Sequence, residues 1–347
     1  MFRVLLLSVI GLLAGSVPTA SAVVNGTPAN PADYPFFTVV GKGCGGALIK
    51  PDRVLTAAHC REALNERESV RVGPGRIKRE VKLRAMLPLH VRELAKMERE
   101  FPPPAGDLMI LALDRPVKNV PPVRIAKPAE GLTAAGTAVV TIGRGATSSQ
   151  GGGEGVFRSG AVQIQDAASC ESELSNQLLR DWSLCVRDPR MNDPADPGPF
   201  TSACFGDSGG PLIADGGSGR RVVGVVSWGP NCGEDRDPEI YANAARGRGF
   251  ALAARPAWAP RAIGRPAVIG RTTVGSTVRC RVNWLRKPDR ELAYGFYLNG
   301  FQAQSARRNT FRLKADARGK MISCDGQGAS AGGRGGSLSL APARLVR

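Results

Sequence analysis

Histidine is almost missing from this chain, which has only His59 and His90 in 347 residues. Any imidazole chemistry must run through one of these two positions. No C-x-x-C pair occurs, and with only two histidines the usual spacing patterns of a structural zinc site are missing. Long apolar runs are also absent. The one candidate, between Arg3 and Pro18, has 14 residues, short of the roughly 20 that span a bilayer. The glycine-rich stretch "SSQGGGEG" (148–155) lacks the Lys-Ser/Thr of a phosphate-binding loop, so it reads as a surface loop. There is no internal repeat and no base-reading motif, and the arginines lack interleaved aromatics, which argues against specific nucleic-acid recognition.

What is present points to export. Arg3, the apolar run Val4 to Val17 and Ala20-Ser21-Ala22 form the three parts of a signal peptide over residues 1–22. Eight cysteines form an even set, which in an exported chain favours disulfides. A secreted, extracellular protein without a membrane span, metal or other cofactor is expected. The net charge of +17 is uneven: residues 246–347 hold 20 Lys+Arg against 4 Asp+Glu, and residues 1–245 hold 27 against 26. Any attraction to an anionic partner belongs to the C-terminal part.

From Val23 to about 257 the sequence consists of short β-rich runs broken by Gly and Pro, which predicts an all-β barrel or sandwich. One short helix is expected near Arg246–Ala254. The Pro/Ala/Arg stretch "RPAWAPRAIGRPA" reads as a linker, taken as residues 258–267, before a second β-rich region at 268–347.

Three segments carry chemistry only in combination. His59 ends "VLTAAHC", Asp107 precedes the apolar strand of "GDLMILAL", and Ser208 lies in "CFGDSGGP". A serine hydroxyl is a poor nucleophile unless a base takes its proton and fixed donors meet the oxyanion. Gly206 allows the turn that would aim its own N–H and that of Ser208 at one point. Taken singly, each reads more simply as a buried histidine, a turn aspartate or a glycine-rich turn. His90, in "LPLHVREL", has no neighbouring signature and reads as a surface or partly buried histidine.

Together with "VVNGTPA" at Val23 and "VVSWG" at 225–229, these strings resemble the trypsin/chymotrypsin-like serine proteases in content and order, over residues 23 to about 257. The resemblance implies two packed six-stranded antiparallel barrels with a short C-terminal helix and an active site between them. It implies Ser208 as nucleophile, His59 as base, Asp107 as its orienting partner, and Gly206 and Ser208 as the oxyanion hole. It implies disulfides Cys44–Cys60, Cys170–Cys185 and Cys204–Cys232, which leaves Cys280 and Cys324 to each other. It also implies an activation pair between a freed Val23 amine and Asp207. Ile142 stands where the family commonly has tryptophan.

The pocket is where the resemblance is loosest. Ser202, six before Ser208, takes the base position as in chymotrypsin-like members, with Ser227, Trp228 and Gly229 along the wall. Glu239 replaces the glycine of the family's P-G-V-Y, as an acidic residue does in cathepsin-G-like members. Cleavage after Lys or Arg with aromatic residues also accepted is therefore expected. Chymotrypsin-like specificity or a non-catalytic, partner-binding homologue are the alternatives. The region 268–347, with Cys280, Cys324 and "YGFYLNG", resembles bacterial extracellular immunoglobulin-like domains: a small β-sandwich with a basic surface, a candidate contact for an anionic cell-surface polymer.

Overall fold

A computed structural model describes residues 23–347 apart from 67, 95–104, 153–154, 169, 171–179, 255, 258–260, 289, 331–332 and 337–339. The expected signal peptide lies outside the described residues, as does the start of the expected linker.

The first half folds as β1 (Thr27–Pro28), β2 (Phe37–Val40), β3 (Cys44–Lys50), β4 (Arg53–Thr56), helix α1 (Arg61–Glu66), β5 (Ser69–Val72), β6 (Ile77–Met86), helix α2 (Pro88–Leu94) and β7 (Met109–Leu113). Strands β2 to β7 close into a six-stranded barrel in the order β2-β3-β4-β7-β6-β5. Its strands are rich in β-branched and aliphatic residues, which suit a pleated surface buried on one or both faces. Leu48, Val54, Leu55, Val70, Val72 and the run Leu108–Leu111 are at most 1% exposed.

A second closed set follows β8 (Arg124–Ile125): β9 (Ala138–Gly143), β10 (Arg158–Gln165), β11 (Ser183–Arg187), β12 (Pro211–Gly216), β13 (Gly219–Trp228) and β14 (Glu239–Asn243). These run β9-β10-β11-β14-β13-β12 and return to β9, with β1 and β8 as added edges. Val139, Val162, Ile164, Leu184, Leu212, Val223 and Tyr241 fill this barrel. The expected helix is α3 (Arg248–Ala253). Lys50 and Arg53 of the first barrel donate to the carbonyls of Leu252 and Ala254 at 3.1 and 2.8 Å. Two cations thus satisfy the end of a helix whose C-terminal carbonyls have no partner of their own, and they tie α3 across the molecule.

The remainder is a small sandwich. A three-stranded sheet joins β16 (Ala267–Ile269), β17 (Thr277–Arg281) and β21 (Thr310–Arg312). The facing sheet joins β19 (Arg290–Leu298), β20 (Phe301–Ala306), β22 (Met321–Ser330), β23 (Gly333–Gly336) and β24 (Arg344–Leu345). The Cys280–Cys324 disulfide links the two sheets across a core that includes Val278, Phe296 and Ile322. A short ribbon pairs β15 (Arg261–Ala262) with β18 (Trp284–Arg286), so part of the expected linker is itself a strand. Arg286 pairs with Glu68, and Ala257 bridges Arg84 of β6, which fastens this region to the first barrel. The other disulfides are Cys44–Cys60, Cys170–Cys185 and Cys204–Cys232.

Candidate functional site

Strand pairing brings His59 and Asp107 together. Thr56 lies opposite Met109 in the β4–β7 ladder, so the residue three beyond one and two before the other leave the barrel at the same end. The Asp107 carboxylate, 1% exposed, then collects three donors. Its Oδ1 accepts the His59 backbone N–H at 2.9 Å, and its Oδ2 accepts His59 Nδ1–H at 2.6 Å and the Ser227 hydroxyl at 2.7 Å. Ser227 lies on β13 of the second barrel, so the carboxylate is held from both halves. Burial alone would raise its pKa; the His59 charge and hydrogen bond, then His90 and Ser227, overcome this and hold it well below the usual carboxylate range. Burial likewise would lower the His59 pKa, but the charge and hydrogen bond of Asp107 outweigh it and the net direction is up.

Ser208 is delivered by the second barrel and clamped against the first. Gly45 N–H of β3 donates to the Ser208 carbonyl at 2.7 Å, and Gly209 N–H donates to Val226 at 2.8 Å. A Cβ on Gly45 would lie 2.8 Å from the Gly210 Cα, so this approach requires glycine. Gly206, at φ +93°, supplies the left-handed turn before Ser208. His59 and Ser208 open onto one cavity of about 270 Å³, which Arg61, Glu62, Phe205, Trp228, Gly229 and Glu239 also line.

Behind Ser208 lies a second buried carboxylate. Asp207, 1% exposed, accepts N–H groups of Gly145 at 2.7 Å and Cys204 at 3.0 Å, and the Val23 and Arg144 N–H groups also donate to it. Burial raises its pKa to about 6, against the pull of these donors.

Glu239 reaches the cavity from β14, with Ser202 behind it at 1% exposure. The carboxyl meets the Ser202 hydroxyl and the Ala203 N–H, and accepts from the Tyr241 hydroxyl at 3.0 Å. Ser202 Oγ also lies 2.8 Å from the Ala203 carbonyl, but it has one proton. When Glu239 is ionised, Ser202 donates to it. When Glu239 is protonated, the acid donates to Ser202, which donates onward to Ala203. Both states are satisfied. Burial raises the Glu239 pKa to about 7, with Ser202, Ala203 and Tyr241 opposing.

Sequence reasoning singled out Val23, His59, Asp107, Ser202, Gly206, Asp207, Ser208, Ser227, Trp228, Gly229 and Glu239, but not Gly45, Arg61, Glu62, Arg144, Gly145, Ala203, Phe205 or Tyr241, and it read His90 as a surface or partly buried histidine. His90 differs most from expectation: it is fully buried, with Nε2 3.9 Å from Asp107 Oδ1. Nothing in its own string signals this. Among the described residues, the grouping with ligand atoms close enough for a metal is Cys44, His59 and Cys60. The two sulfurs are joined in a disulfide and are not thiolates.

A family model described as Trypsin matches residues 23–248. A trypsin of Saccharopolyspora erythraea is 26% identical over 232 residues, covering 63% of this chain and 92% of that protein. A trypsin-like protease of Streptomyces glaucescens is 29% identical over 225 residues, covering 63% and 77%. A trypsin of the beetle Phaedon cochleariae is 31% identical over 252 residues, covering 68% and 92%.

Proposed function

Because the chain belongs to the trypsin family, we propose that it is a secreted serine endopeptidase that cuts peptide bonds through an acyl-enzyme. The observation that carries this reading is the His59–Asp107–Ser227 hydrogen-bond system facing the same cavity as Ser208. Ser208 Oγ attacks the scissile carbonyl while His59 Nε2 takes its proton. Asp107 holds Nδ1–H, which fixes the tautomer and stabilises the imidazolium that forms. The N–H groups of Gly206 and Ser208 meet the oxyanion. His59 then returns the proton to the leaving amine, and water, activated by the same imidazole, releases the acyl group.

Substrate selection rests on Glu239. An ionised carboxylate at the cavity end favours Lys or Arg, while the apolar wall of Val226 and Trp228 accepts aromatic side chains. Export removes residues 1–22 and frees Val23, whose ammonium then joins Asp207. The C-terminal sandwich, which resembles an immunoglobulin-like domain, presents an arginine-rich face to anionic cell-surface polymer.

The test is Ser208→Ala. Peptide hydrolysis should fall by several orders of magnitude while substrate binding persists, because the covalent route is lost. Hydrolysis by the folded variant within about tenfold of wild type, beyond what the loss of a nucleophile permits, would refute the assignment.

A further inference from the structure

Asp107 has two imidazoles around it. Leu87 N–H donates to the Leu108 carbonyl at 2.9 Å, and α2 begins at the next residue. This anchor carries His90, the third residue of the helix, over the Asp107 carboxylate. The ring is fully buried, and its Nε2 lies 3.9 Å from Oδ1, the oxygen that does not bond the His59 ring. His59 occupies the other oxygen at 2.6 Å. A proton on either ring would find the same carboxylate as its counter-charge.

We propose that His90 is a positioning residue that acts on His59 through Asp107, competing with it for the carboxylate and so setting the pH below which His59 stops accepting the Ser208 proton. The proposal rests on the role given to Asp107 above. A proton on His90 neutralises part of the Asp107 charge and weakens its support for the His59 imidazolium. Two sites coupled by more than about one pH unit lose their protons in steps that belong to the pair. The remaining charged groups nearby are Arg61 and Glu62 of α1, which act on His59 with opposite sign. Buried Arg84 of β6 donates to the Arg61 carbonyl at 3.4 Å, and α2 itself carries Arg92 and Glu93. The groups that lower the Asp107 pKa are His59, His90 and Ser227.

The chain's two histidines make the test direct, since labelled imidazole gives two NMR signals. In full-length Ser208→Ala protein, which does not digest itself, each signal should titrate in two steps shared by both rings. In His90→Gln on the same background, the His59 signal should titrate in one step with its midpoint moved up. In otherwise wild-type enzyme, His90→Gln should move the acid limb of kcat/KM to higher pH by the same amount, about one unit, with KM little changed. Two independent single-step curves, or a flat His90 signal beside a single-step His59 curve, would overturn the proposal, as would a His90→Gln limb that overlays wild type. If His90→Gln does not fold, the two curves of the His90-containing protein decide the matter alone. Absence of hydrolysis by the wild type would count against the protease reading and leave the NMR result intact.

Discussion

Ser202 and Glu239 share a buried hydrogen bond at the end of the cavity that holds Ser208. The ionised pair supplies a site for a substrate cation. At an effective dielectric of about 20, a cation ~4 Å away gains roughly 4 kcal/mol before desolvation. Because the Glu239 pKa is raised to about 7, the ratio of kcat/KM for Lys over Phe substrates should climb as pH rises through 7. The ratio cancels the His59 ionisation, which both substrates need. Glu239→Gln should flatten this dependence, and Glu239→Gly should lose the basic preference while keeping cleavage after Phe. Selectivity unchanged in the glycine variant would show that Glu239 does not read the substrate.

The same group has a stability consequence. A carboxyl whose folded pKa lies above its unfolded value favours the folded state fully below the unfolded pKa, 4.5, and loses that contribution as pH rises through about 7. Glu239→Gln keeps the neutral form at every pH. Its stability relative to wild type should therefore improve between pH 4 and pH 8, by up to about 3 kcal/mol. Urea unfolding at both pH values measures this, and an equal difference at the two would rule it out.

Val23 sits with φ +55°, fully buried, and its N–H is among the donors to Asp207. That backbone region is costly for a β-branched residue. The constraint involves the preceding carbonyl, so cutting before Val23 abolishes it and leaves an ammonium beside Asp207. The mature protein should start at Val23, which N-terminal sequencing reads directly. Asp207→Asn would leave that ammonium buried without its counter-charge, and kcat/KM should fall by roughly a hundredfold or more. Full activity in a form beginning elsewhere would contradict the pairing.

The sequence makes the two barrels legible because their strands are short, β-branched and punctuated by Gly and Pro. His59, Asp107 and Ser208 are legible because each sits in a string long enough to recognise. Two features were hidden for a physical reason. Helix α2 is seven residues long, too short for its periodicity to stand out, so nothing placed His90 against Asp107. Ser227, expected along the pocket wall, lines the cavity and also donates to Asp107. That contact depends on how the barrels dock, which no local pattern reports. Glu239 was visible as a departure, but its partners Ser202 and Tyr241 needed the strand register.

The basic region also acquires an address. On β17, Val278 and Cys280 point into the core at 0% exposure, so alternation turns Arg279 and Arg281 outward. Across the ladder, Thr277 lies opposite Arg312 and Arg279 opposite Thr310, which adds Arg312 to the same exposed face. Spacing of two residues along a strand puts Arg279 and Arg281 about 6.8 Å apart, too close for like charges to be neutral to the fold, and guanidinium groups suit sulfate or phosphate oxygens. If this face holds an anionic polymer, the full-length protein should be retained on dextran-sulfate beads and released steeply with salt. Replacing Arg279, Arg281 and Arg312 together with Gln should bring release to markedly lower salt. Small-peptide hydrolysis should stay the same, because none of the three lines the cavity. Retention that ignores salt, or release unchanged in the triple variant, would mean that these arginines serve only as a solvated surface.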